Sequence, residues 1–352
     1  MSATTRIGVV GYGTGGQHFH TPYVAAAPGV ELAGVVARAP ETVAKVQRDW
    51  PGVPVHGSLA EMIEAGVDAV TITTPPATRR GLVLEAVAAG VPVVADKPFA
   101  PTARDAQDLV DAAERAGVLL TVFHNRRWDA DVRTLQGLLE RRAFGEPWRL
   151  HSRFDADDPG TLEGGPHGGL LRDIGSHLVD QAQHLLGPAR TVTAHLDDAV
   201  TDEGPTDASF VLHLEHEGGA VSVLESTKLN HLQCRELRCY GSAGSYRQLG
   251  TDVQATAIFA GRRPTQDPAA WGYEPEHAWG LLATDAGTVA VPSAQGSYTE
   301  FYRHWGAAVR GEGPVPVDPR DGVRVLAVLD AARESAALGA TVAVRVPAPA
   351  SV

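Results

Sequence analysis

The chain has 352 residues, 43% of them apolar and 20% charged. That composition excludes a disordered chain, and the length predicts about two domains. Lys plus Arg number 30 against 42 Asp plus Glu, a net charge of −12, which is the wrong sign for a general nucleic-acid binder or a binder of anionic membranes.

Cys234 and Cys239 are the two cysteines. They make no disulfide scaffold, and their spacing forms no metal pattern. No apolar run approaches the roughly 20 residues of a membrane span. The opening MSATTRIGVVG enters a strand pattern at once, which predicts no signal peptide and a cytoplasmic protein.

The first third alternates β-branched strands with helix-length segments. Strands are expected at residues 7–10, 31–36, 67–73, 91–95 and 118–123, and helices at 40–50, 78–89 and 102–116. Thr102 and Asp105 read as an N-cap and a first-turn acid. Gly90 and Gly117 read as C-terminal closers. Nearly continuous Val, Ile and Leu in such strands predicts a buried parallel sheet. The expected fold is therefore α/β, with a doubly wound, dinucleotide-binding domain over residues 1–123.

The pattern then changes. Helices are expected at 129–142 and 173–186, with an extended run at 147–154. Strand-like runs at 191–196, 209–216, 220–228, 234–240 and 245–249 follow without intervening helices. That predicts an α+β domain with a mainly antiparallel sheet, residues 124–352. Helices at 298–310 and 319–338 precede a last strand at 341–346.

Gly11, Gly13 and Gly16 fit G-x-G-x-x-G between the first strand and a helix. Gly11 permits the tight turn, Gly13 lets the backbone reach a pyrophosphate, and Gly16 lets helix and strand pack. The orphan N–H groups and dipole of the helix start suit phosphates; a plain βα turn is the alternative. An acid at the end of the second strand would select NAD. Ala37-Arg38 stands there instead. A guanidinium suits a 2′-phosphate, so NADP is preferred, with NAD or dual use open if Arg38 faces solvent.

Asp96-Lys97-Pro98 follows a buried strand. Ligands of open α/β sheets bind outside the carboxyl ends of strands, so Lys97 is a candidate to hold a substrate oxygen; the alternative is a lysine paired with Asp96. On a helix over 173–186, Asp173, His177, Asp180 and His184 share one stripe. Asp173 and His177, four apart, can touch the same molecule. His177 suits a base that takes a hydroxyl proton as hydride leaves the carbon. The alternatives are a solvated polar face or a zinc pair; no third or fourth ligand accompanies the pair, so no metal is expected. Arg126-Arg127 is expected to anchor the domain junction, and His18 and His20 to be structural.

Together the motifs resemble the glucose–fructose oxidoreductase, inositol dehydrogenase and MocA family. The residues that carry the resemblance are Gly11-Tyr12-Gly13, Thr74-Pro75-Pro76, Asp96-Lys97-Pro98 and Asp173-Ile174-Gly175-Ser176-His177. Phe123-His124-Asn125-Arg126-Arg127-Trp128-Asp129, Trp271-Gly272 and Gly296-Ser297-Tyr298 resemble its NADP-dependent scyllo-inositol dehydrogenase branch. The resemblance implies a Rossmann domain, then an α/β domain whose large open sheet often pairs subunits, so a homodimer or higher homo-oligomer is expected. It implies NAD(P)-dependent oxidation of a secondary alcohol on a sugar or inositol-like polyol. Lys97, Asp173 and His177 fall on the family's catalytic positions. Gly11, Gly13, Thr14, Gly16, Arg38, Thr74, Pro75, Asp96 and Lys97 fall at the coenzyme. Asn125 and Tyr298 are candidates, with the catalytic three, for the substrate pocket. Asp96 replaces a usual Glu, Arg79 a frequent His and Arg172 a common aromatic, and the loop 155–167 is short and acidic. A non-catalytic dinucleotide-binding sensor and an NAD-dependent glycoside hydrolase are the other functions this family implies.

Overall fold

The computed structural model describes residues 4–165, 168–250 and 252–350. Residues 1–3, 351 and 352 of the expected domains, and 166 and 167 of the expected acidic loop, lie outside the described residues.

Strands β1 (Thr5–Val10), β2 (Val30–Val36), β3 (Val55–His56), β4 (Ala69–Ile72), β5 (Val93–Ala95) and β6 (Leu120–Val122) form a parallel sheet in the order β3-β2-β1-β4-β5-β6. The order reverses between β1 and β4. The loops after those strands therefore diverge and leave a crevice at the carboxyl edge of the sheet.

Helix α1 (Thr21–Ala26) is preceded by a widely wound turn, Gly15–His20; α2 (Pro40–Asp49), α3 (Leu59–Glu64), α4 (Pro76–Ala88) and α5 (Ala103–Ala116) follow. Thr102 caps α5 as expected, its hydroxyl accepting the Asp105 N–H at 3.1 Å. The sequence reading did not foresee β3 or α3, which are 2 and 6 residues long.

A short helix, Asn125–Trp128, and α6 (Ala130–Glu140) lead into a second sheet. Its members are β7 (Pro147–Asp155), β8 (Ala189–Thr201), β9 (Gly204–His216), β10 (Val221–Thr227), β11 (Cys234–Gly241), β12 (Gly244–Leu249), β13 (Gly280–Thr284), β14 (Gly287–Val291) and β15 (Val342–Ala343). The order is β14-β13-β12-β11-β7-β10-β9-β8-β15. Among the described pairs of this second sheet only β7 with β10 is parallel. Helix α7 (Ser176–Leu186) follows a widely wound turn, Leu171–Gly175, while α8 (Val253–Phe259), α9 (Tyr298–Val309) and α10 (Pro319–Leu338) come late. This is the doubly wound sheet joined to a mainly antiparallel open sheet that the strand pattern predicts.

Alternation along the strands sets the faces of the second sheet. Leu212, Leu224, Ser152 and Leu237 stand opposite one another and are buried. Val211, Glu225, Arg153, Glu236 and Leu249 form the other face, with Val211 and Leu249 exposed.

The late helices return to the first sheet. Phe301, Tyr302 and Trp305 of α9 are fully buried in one cluster with Ile7, Val9 and Val35. Burying each such side chain contributes about 1.5–3 kcal/mol. Helix α10 packs on both α5 and β8, so the two sheets share one continuous core. None of the described helices is long and apolar enough to cross a membrane.

Candidate active site

The glycine loop leaves β1 at Gly11, whose φ of +103° few residues but glycine adopt. Its N–H donates to Val36 O at 3.2 Å, which ties the loop to the end of β2. A Cβ on Gly16 would strike the Gly11 carbonyl, whereas one on Gly13 would meet nothing within 4 Å. The loop thus packs tightly behind and is open in front. Gly13 and Thr14 are exposed there, as is Arg38 just past β2. On the other side of the crevice the Thr74 hydroxyl is buried and has no hydrogen-bond partner. An open backbone at a helix start and an unpartnered hydroxyl opposite it fit a dinucleotide.

Lys97 stands two residues beyond β5, before a cis Lys97–Pro98 peptide. Asp96 braces it from below. Its Oδ1 accepts the Lys97 N–H at 2.8 Å and its Oδ2 the Thr73 hydroxyl at 2.7 Å. His20 Nε2 lies 3.2 Å from the same Oδ2, and His20 Nδ1 lies 2.6 Å from the Tyr302 hydroxyl. Burial would raise the Asp96 carboxyl, but His20, Arg79 and the Thr73 hydroxyl hold it well below the usual range.

Arg79 is 3% exposed. Its guanidinium donates to Asp96 O at 2.7 Å, to Thr74 O at 2.6 Å and to Pro98 O. One side chain therefore clamps the coenzyme loop to the lysine loop. Burial lowers its pKa, and Asp96 opposes the shift.

The second sheet brings the carboxylate. Lys97 Nζ donates to Asp173 Oδ1 at 2.8 Å and to Asp173 O at 3.2 Å. Lys228 Nζ donates to Asp173 Oδ2 at 3.2 Å and to Thr161 O at 3.2 Å. The Asp173 side chain is 41% exposed towards the cleft, against 19% for Lys97 and 7% for Lys228. Its surroundings would raise its pKa, but the two ammonium groups hold it well below the usual carboxylate range.

His177 lies one turn on and is 6% exposed. Burial first, then the charges of Lys97, Arg126, His124 and Arg235, push its pKa well below the ordinary histidine value. A neutral imidazole is the form that can accept a proton. Asp207 holds the start of this segment, accepting the Leu171 N–H at 2.6 Å and Arg333 Nη2 at 2.8 Å. Arg172 is buried, 4.0 Å from Asp330 on α10.

Lys97 thus meets Asp173 across the crevice, and the charge of Lys97 is felt at His177 on α7. Lys228 escaped the sequence reading, yet a signal existed. It sits two and four residues beyond Ser226 and Leu224, on the buried face of that run, and a lysine on a core-facing position calls for a partner.

The stripe Asp173, His177, Asp180, His184 divides. Asp180 turns to Arg127, with bonds of 2.6 and 3.0 Å, and Arg127 also reaches Asp321 at 3.0 Å. Arg126 meets Asp129 at 3.3 Å and Asp252. The partners of both arginines lie within residues 124–352, so the pair ties the second domain together rather than anchoring the junction as the sequence reading expected. Asn125 is 4% exposed. Tyr298, expected in the pocket, is fully buried and its hydroxyl donates to Asp129, so it supports the wall. Among the described residues no group of three His, Cys, Asp or Glu could hold a metal ion.

Comparison with known proteins gives the family. Residues 5–124 match the GFO_IDH_MocA oxidoreductase family, NAD-binding Rossmann fold, and residues 137–344 match its C-terminal alpha/beta domain. The chain is 34% identical to the uncharacterized oxidoreductase YdgJ of Escherichia coli, covering 97% of this chain and 99% of that one. It is 30% identical to the scyllo-inositol 2-dehydrogenase (NADP(+)) IolW of Bacillus subtilis, covering 94% of each. The solved structure of the oxidoreductase YPO2259 of Yersinia pestis shares 32% identity at a TM-score of 0.88, over 99% of both chains. The chain belongs to the GFO/IDH/MocA family of oxidoreductases, with an NAD(P)-binding Rossmann fold at its N-terminal end.

Proposed function

We propose that this chain is an NADP-preferring dehydrogenase that interconverts a secondary alcohol and a ketone on a sugar or cyclic polyol. The observation that carries the reading is the Lys97–Asp173 bond of 2.8 Å, made across the crevice with His177 a turn away. Relatives named as scyllo-inositol, inositol and D-apiose dehydrogenases support the substrate class. Because Arg38 is exposed, the coenzyme preference rests on the place of its guanidinium just past β2 and on the NADP(+) in the name of IolW.

When bound, the nicotinamide coenzyme supplies the hydride acceptor. Gly11, Gly13, Thr14 and Gly16 would hold its pyrophosphate, Thr74, Pro75 and Asp96 would line the opposite side, and Arg38 would serve a 2′-phosphate. Lys97 donates a hydrogen bond to the reacting oxygen, and Asp173 fixes that ammonium. His177, neutral, takes the hydroxyl proton. Fixing these groups before reaction lowers the entropic part of the barrier.

The uncovered face of the second sheet joins apolar Val211 and Leu249 to alternating charges, Arg153, Glu225 and Glu236. It suits a second copy of the chain, and a cytoplasmic homodimer is part of the proposal. A coenzyme-coupled screen of inositols and sugars, with NAD and NADP in parallel, tests the reading. NADP-linked turnover of a ring polyol or sugar is expected; release of free sugar without change in coenzyme absorbance would contradict it.

A further inference from the structure

We propose that His124 is a proton relay, carrying the hydroxyl proton from His177 through the back of the site to a cavity beside Asp180 and His184. The proposal rests on His177 as the base in the reading above.

His124 stands just after β6 and is 2% exposed. Neither ring nitrogen has a hydrogen-bond partner. A buried polar ring left unpaired costs free energy and calls for an explanation. His124 Nε2 lies 3.8 Å from Asp180 Oδ1, too far for a hydrogen bond at rest but within reach of a small rotation or one bridging water. His177 Nδ1 is likewise enclosed and unpartnered. Gln181 Nε2 on α7 donates to Arg126 O at 3.2 Å, which ties the segment after His124 to the helix that carries His177, and the charge of His124 is felt at His177.

Asp180 is three residues beyond His177 on α7, and His184 a further turn on. Asp180, His184, Arg127 and Asp321 line a cavity of about 110 Å³, several times the roughly 10–15 Å³ that one water requires. His184 is exposed at its rim. Charged and titratable groups facing His124 are Asp180, Arg127, Asp321 and Lys97. Those facing His177 are Lys97, Arg126, Arg235 and His124 itself.

The chemistry demands an exit. Oxidation of a secondary alcohol sends the hydride, with both electrons, to the coenzyme and leaves one proton from the hydroxyl. His177 is enclosed by protein, only 6% of it exposed. An imidazole can take a proton on one nitrogen and release another from the opposite nitrogen. His177 passes the proton to His124, and His124 gives one up, past Asp180 at 3.8 Å, to water in the cavity that Asp180 lines. Both rings return to neutral. Asp180 is held ionised by Arg127, so it steadies the passing imidazolium and does not trap the proton. Ketone reduction runs the path backwards.

The test uses His124→Phe in the full chain. Because the imidazole makes no hydrogen bond, the variant is expected to fold; if it does not, His124→Gln replaces it. With ¹⁵N-histidine labelling and NADPH bound, the His177 ring proton is expected to exchange with water at least 10-fold more slowly than in the wild type. With a substrate from the screen, kcat for oxidation falls about 10-fold, KM stays and the D2O effect on kcat grows; in His124→Ala, whose truncated side chain leaves room for it, imidazole buffer restores most of the rate. Unchanged exchange overturns the relay. So does a rate loss in His124→Ala that no buffer restores, which would make His124 merely structural. His177→Ala separates the two levels: full turnover in that variant contradicts the underlying reading, whereas its loss alongside a normal His124→Phe contradicts the relay alone.

Discussion

Lys97 Nζ lies 2.8 Å from Asp173 Oδ1, joining residues 76 positions apart. The end of a parallel strand and the turn before α7 meet only through the folding of one sheet against the other. Lys228 holds the second oxygen of the same carboxylate at 3.2 Å, so one anion lies between two cations.

Removing the second cation changes the titration of the first pair. Lys228→Met is expected to raise the Asp173 pKa, because one of the two charges that lower it is gone. The acid limb of kcat/KM then moves to higher pH, and kcat falls about 10-fold at neutral pH, within the scale of positioned proton-transfer groups. Lys228→Arg restores much of both. A pH profile from 4 to 9 checks this; coincident profiles for all three proteins would refute it.

Arg79→Met leaves three buried carbonyls without their donor. Stability falls by about 3 kcal/mol, since an unpaired buried group costs about 1–3 kcal/mol. Urea unfolding measures the loss. NADPH affinity falls with it, because Thr74 O is one of the three. Wild-type values for both would show that the clamp holds nothing.

Arg38→Ser raises KM for NADP about 10- to 100-fold and leaves KM for NAD nearly unchanged, as expected from hydrogen bonds to a charged phosphate worth about 1.5–3 kcal/mol. Equal effects on both coenzymes would remove Arg38 from the 2′-phosphate site.

His124 and His216 are buried, with pKa values pushed down by burial. Their folded values lie below the unfolded value of about 6.5. As pH falls through that value the unfolded chain binds more protons than the folded one. Stability is therefore full above it and drops below it, by up to about 1.4 kcal/mol per pH unit for each histidine. Urea midpoints at pH 7.5, 6.5 and 5.5 test the sign; a flat series would contradict it.

Much of this was legible before folding. β1 with Gly11, Gly13 and Gly16 reads directly, because a β-branched run and a tight turn are local facts. So does the choice of Asp173 and His177, four residues apart, although the structure places Asp173 in the wide turn before α7 rather than on the helix. Other features were not local. Arg79 stood out only as a departure from the family's pattern, since its three carbonyl partners converge only in three dimensions. Lys228 stood at the end of a strand run, and its partner is 55 positions away. Strands β13 and β14 are short, and most of β14 is exposed, so they carry little of the alternation that marks a strand. Of the expected stripe, His177, Asp180 and His184 lie on α7 and Asp173 in the turn before it, and only packing could show that Asp173 meets Lys97 while Asp180 meets Arg127.

The most direct measurement pairs coenzyme binding with turnover in Lys97→Ala and His177→Ala. Fluorescence titration should show both binding NADPH about as well as the wild type, while NADP-linked polyol oxidation falls about 10³-fold, as for loss of a proton-transfer group. Wild-type turnover in both variants would contradict the account.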